Sequence, residues 1–171
     1  MAETSTMSEA EQLVAEADTG GRHPVNKAIA KFLIAVAFSW SLFQVYVSSP
    51  LVLEFTPWMN EDVVKRFHLT FAIFLAYLTF PALSRSPRDR IPWLDWGLAI
   101  TAALTCLYLI VFKDALAERP GSPIVMDIVV GVIGVLLLLE ATRRSLGPPL
   151  MVVAIVFLVY TFLGPYMPDV I

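Results

Sequence analysis

Five stretches of apolar residues, each parted from the next by prolines, glycines or charges, limit this chain more than any other feature. They lie at about 28–47, 67–83, 93–112, 124–139 and 150–163. A hydrocarbon core about 30 Å thick is crossed by roughly 20 residues at helical rise. Inside it each backbone N–H and C=O must find its partner within the segment or within a closed barrel. Apolar blocks of this kind predict an all-α integral membrane protein, a bundle of about five transmembrane helices. Composition points the same way: 57% of the 171 residues are hydrophobic and 16% are charged, whereas a soluble domain is nearer one quarter charged.

The polar intervals set the expected orientation. Residues 1–26 form an acidic head in which Glu3, Glu9, Glu11, Glu16 and Asp18 face a single Arg22, the reverse of the basic start of a secretory signal. It reads as a cytoplasmic lead-in. Ser8 and Glu11 fit a capping box, with Leu13, Val14 and Ala17 on one side of a short helix that Gly20, Gly21 and Pro24 end. Arg85, Arg88 and Arg90 crowd the loop after the second block. With the N-terminus inside, Arg22, Lys27, Lys31, these three, Arg143 and Arg144 fall on the inner side, against Lys65, Arg66, Lys113 and Arg119 outside. Basic residues gather on the cytoplasmic side, so the expectation is N-terminus in and C-terminus out, in a bacterial inner membrane. Residues 27–147 then form a four-helix region, and 148–171 a fifth transmembrane segment.

Little in the sequence suggests chemistry. Cys106 is the single cysteine, so no internal disulfide forms. His23 and His68 stand in different segments without an acidic or histidine partner at ligand spacing, and they read as interfacial side chains. No phosphate-cradling glycine loop or zinc-protease motif occurs. The net charge of −3 comes largely from the head and gives no reason to expect nucleic acid. We therefore assign no catalytic, cofactor-binding or metal-ligating residue and expect no enzyme.

What remains are partner-docking or structural candidates. Arg119 opens a rigid Arg-Pro-Gly-Ser-Pro turn, and Asp127 lies in the first turn of the fourth block, where the helix dipole favours a carboxylate. Glu140, Arg143 and Arg144 are spaced for i,i+3 and i,i+4 ion pairs. Gly97, Thr101 and Thr105 recur every fourth residue, a stripe of small side chains suited to helix packing. Gln44, inside the first block, should turn its amide toward another helix. Trp93 and Trp96 suit the membrane interface.

The stretch from Arg119-Pro120-Gly121-Ser122-Pro123 to Asp127 and Gly131, then Leu138-Leu139-Glu140-Ala141-Thr142-Arg143-Arg144 with Gly147, then Phe157 to Tyr160 and Gly164-Pro165-Tyr166 with Pro168, resembles the fused permeases of TRAP transporters, most closely the TAXI type. Leu42 to Tyr46, Arg66 to Leu69 and Phe80-Pro81 are similar to that family as well. The resemblance implies a small, scaffold-like membrane part. With a large membrane part and a periplasmic solute-binding protein it would import organic acids on a sodium gradient. Substrate and sodium sites would belong to the large part, whose helices would follow Ile171. Two other readings fit the same sequence: the small membrane subunit of a tripartite tricarboxylate transporter, and a membrane assembly protein unconnected with transport.

Overall fold

The computed structural model describes residues 21–164 apart from His23, Pro57, Ser84, Arg85 and the Leu53 side chain. Residues 1–20 of the acidic head with the Ser8 and Glu11 box, His23, Arg85 and residues 165–171 lie outside the described residues. Those described are helical, with no strand among them.

The first apolar block is α1, Lys27–Val47, begun by the Asn26 side chain, which accepts from the Ala28 N–H at 2.9 Å. A short α2, Leu51–Phe55, occupies what the sequence presents as a loop. The second block becomes α3, Glu61–Thr79, displaced toward the N-terminus of the expected 67–83. Asn60 caps it by accepting from the Val63 N–H at 3.0 Å, with Glu61 and Asp62 in the first turn where the dipole favours carboxylates. It stops before Pro81, which has no N–H to continue the ladder. The third block is α4, Trp93–Val111, and after a break at Phe112 comes the single turn of α5, Lys113–Ala117. α6, Val125–Leu146, outruns its expected end at residue 139 and takes Glu140, Arg143 and Arg144 into the helix. Gly147, at φ +86°, makes the sharp corner into α7, Pro148–Leu163.

α3, α4 and α6 share one core: Ile73, Tyr77 and Leu78 from the first, Ala99 and Ala102 from the second, Leu137 and Ala141 from the third. Three alanines let the backbones approach closely, which is how helices associate where lipid offers no hydrophobic drive. α1 lies against α3, with Phe32 and Phe74 centroids 6.4 Å apart and Trp40 stacked on Phe71 at 6.4 Å. Among the described elements α7 packs on α6 alone.

The outward surface is apolar. Ile34, Phe38, Leu136, Val156 and Phe162 are all exposed, far more than a soluble monomer leaves in contact with water. α1, α4 and α6 are each long and apolar enough to cross a membrane. α3 spends its first turns on charged residues, and α7, with 16 residues, reaches about 24 Å at 1.5 Å per residue.

Candidate functional site

Polar side chains gather at the two ends of the bundle and in one patch between α1 and α3. The largest group sits where α3 and α6 end and α4 begins. Asp95, in the first turn of α4, is 2% exposed. One carboxylate oxygen accepts from Arg144 Nη1 at 2.8 Å and the other from Arg22 Nη2. Arg144 also donates Nε to Glu140 at 2.7 Å, and Arg143 grips the same carboxylate with Nε and Nη2, each at 2.7 Å. Beneath them the Tyr77 ring lies 4.7 Å from the Arg144 guanidinium carbon, while its hydroxyl donates to Leu137 O at 2.8 Å.

Helix ends explain this clustering. The last carbonyls of a helix lack intrahelical partners and carry the negative end of the dipole. At the end of α3, Arg22 supplies those partners: its N–H donates to Thr79 O at 2.8 Å, and its Nη1 reaches Tyr77 O at 3.2 Å and Leu78 O at 3.3 Å. Arg143 Nη2 donates to Ala82 O, in the loop that follows α3, at 2.8 Å. Arg143 and Arg144 end α6, and Asp95 starts α4, so each charge also suits its own dipole. One donor is left over: Arg22 Nε is buried and has no hydrogen-bond partner among the described residues, a deficit of about 1–3 kcal/mol when nothing fills it.

The opposite end holds a smaller group. Asp127, in the first turn of α6, accepts from the Tyr108 hydroxyl at 2.5 Å and from the Ile124 N–H at 3.1 Å. Arg119 approaches with Nη2 at 3.4 Å and Nε at 3.2 Å, the latter at an angle that makes it an ion pair without a hydrogen bond. Ahead of the apolar stretch of α3, an exposed Lys65 ammonium 2.7 Å from Glu61 holds that carboxyl below its usual range; water screens such a pair. Between α1 and α3, Trp40 Nε1 donates to His68 Nδ1 at 3.2 Å, and Gln44 meets the same nitrogen.

The structure therefore brings Glu140, Arg143 and Arg144 into one cluster and joins Arg119 to Asp127. It also adds Arg22, Asp95 and Tyr77, which the sequence reading left out. One signal was available, since Asp95 stands in the first turn of its apolar block just as Asp127 does. The small-residue stripe fares differently within this chain. α4 buries Asp95, Ala99, Ala102 and Cys106, and leaves Gly97 and Thr101 exposed. A Cβ placed on Gly97 would meet nothing within 4 Å, and Thr101 turns its hydroxyl back to Gly97 O at 2.8 Å. Thr105 alone reaches a neighbouring helix, 3.9 Å from the position a Cβ on Gly134 would take. Leu98 and Ala99 follow directly on Gly97, and the apolar character of the whole helix hides which side faces the chain's own core.

Fold and site together define an all-helical protein with three helices long and apolar enough to cross a membrane, and a buried ionic cluster at one end of the bundle. No family model, curated protein or solved structure matches the chain.

Proposed function

We propose that this protein is the small, scaffold-like membrane portion of a TRAP-type secondary transporter, TAXI-like, in a bacterial inner membrane. On this reading α3 and α7 also cross the bilayer, giving five spans with the N-terminus inside. A large permease portion carries the substrate and sodium sites, a periplasmic solute-binding protein delivers organic acids, and the sodium gradient supplies the energy. The chain catalyses no reaction of its own.

The observation that carries this reading is how the phrase Leu138 to Arg144, on which the resemblance rests, uses its charges. Glu140, Arg143 and Arg144 are held by one another, by Asp95 and by the carbonyl of Ala82. A site for a moving solute or ion instead draws on interrupted helices, whose half-helix ends and freed backbone groups do the binding. Here the charged groups tie helix ends together, which suits a support. The outer sides of α6 and α7, and the exposed Gly97 and Thr101 of α4, supply apolar and small-residue surface against which a large portion can pack.

Reconstitution tests the proposal. Vesicles holding this chain, a purified binding protein, its solute and an inward sodium gradient should take up solute only once the large portion is added. Gradient-driven uptake by this chain without it would overturn the division of labour.

A further inference from the structure

Beside the ionic cluster, α1 and α3 part to form an open cavity of about 500 Å³ lined by Arg22, Pro24, Ala30, Ile34, Ala37 and Leu75 among others. We propose that this groove binds one anionic phospholipid, an acyl chain lying between α1 and α3 and the phosphate at the end marked by Arg22 and Lys27. The inference is independent of the transporter reading.

Three observations fix the occupant. The groove runs along α1 from Ala30 to Ala37, about 10 Å at 1.5 Å per residue, which fits within one leaflet of a hydrocarbon core about 30 Å thick. Its walls are apolar along that length, and α1 has no buried residue, so the groove opens directly to where lipid would lie. Its head is cationic. Lys27 precedes Ala30, Ile34 and Ala37 on one side of α1, Lys31 follows a turn later at the edge, and both are exposed. Among the described residues of this end, Asp95 is engaged by Arg22 and Arg144, and Glu140 by Arg143 and Arg144. Asp89 lies between Arg88 and Arg90 in sequence. Among the described residues an anion meets net positive charge here, and the Nε–H of Arg22, without an acceptor among them, would find one in a phosphate oxygen or a water it orders. A neutral headgroup satisfies the groove but leaves the lysines unanswered.

A phosphatidylglycerol bearing a photoactivatable diazirine on its acyl chain tests this, with the full chain in vesicles of phosphatidylcholine. Label should map to Ile34, Ala37 or Leu75, and unlabelled phosphatidylglycerol should displace it at a mole fraction at least tenfold lower than phosphatidylcholine requires. Ala37→Phe should fill the groove and remove the label. Lys27→Gln with Lys31→Gln, both exposed and so without effect on folding, should cut the preference for the anionic lipid at least fivefold. Label spread evenly round α1 would mean ordinary boundary lipid, and equal displacement by both lipids would mean no headgroup site; either overturns the proposal. So does labelling that arises only after residues 1–20 are deleted, since the chain's own head would then be the occupant.

Discussion

Asp95 meets one arginine 73 residues before it and another 49 after it, and both contacts are buried. Removing one member of such a cluster leaves charge without a counter-charge, at a cost of about 3–5 kcal/mol. Asp95→Asn keeps the shape and removes the anion, so it should destabilise the protein by that order. Asp127→Asn, at the other end, keeps one acceptor oxygen but loses either the Tyr108 or the Ile124 bond and the charge that faces a partly exposed Arg119, and should cost about 1–3 kcal/mol. Unfolding midpoints in neutral detergent compare the two, and an Asp95 variant no weaker than the Asp127 variant would mean that the buried cluster stabilises no more than the Asp127 group does. Tyr77→Phe tests the floor of the cluster. It deletes one hydroxyl donor, the 2.8 Å bond to Leu137 O, for about 1 kcal/mol. The pairing of Asp95 was not legible in sequence because it depends on which helix ends coincide, whereas the pairing of Glu140 with Arg143 and Arg144 was, because three- and four-residue spacing puts side chains on one helical face.

Among the elements, α1 and α4 follow their hydropathy closely, since a block apolar on every side needs only its length to declare it. The ends of α3 and α6 moved for local reasons: the Asn60 cap draws α3 toward the N-terminus, and the ion pairs of Glu140 let α6 continue to Leu146. What hydropathy could not show is the side of α4 that packs. Ala99 and Ala102 are fully buried, while Gly97 and Thr101 face outward. Leucines at the two kinds of position should therefore separate. Ala102→Leu overfills the core and should destabilise the isolated chain by about 1–3 kcal/mol. Thr101→Leu should leave its melting temperature unchanged and, on the proposed function, weaken co-purification with a large permease portion. If Thr101→Leu lowers stability as much as Ala102→Leu, the outward assignment of this face is wrong.

At the scale of the whole molecule, the antiparallel order of α3, α4 and α6 puts the end of one helix beside the start of the next. Arg22, Asp95, Arg143 and Arg144 therefore meet at one end, and Tyr108, Arg119 and Asp127 at the other. Arg88 and Arg90 belong to the first end, where the Val25 N–H donates to Asp89 O at 3.0 Å. The first end thus holds most of the basic residues, exposed ones included, and the second holds Lys65, Arg66, Lys113 and Arg119. Arginine and lysine resist transfer across the membrane during insertion, so the proposed reading keeps the richer end in the cytoplasm. The buried arginines hold these ends together, because Arg143 reaches Ala82 O and Arg144 reaches Asp95 at the same end of the bundle. In a Cys106→Ser background, which removes the chain's one thiol, Arg88→Cys should react with a membrane-impermeant maleimide only after the membrane is breached. Ser122→Cys, in the exposed turn at the far end, should react in intact spheroplasts. Labelling of position 88 from outside would reverse the orientation, and labelling of both positions from outside would break the antiparallel arrangement that brings the ionic cluster together.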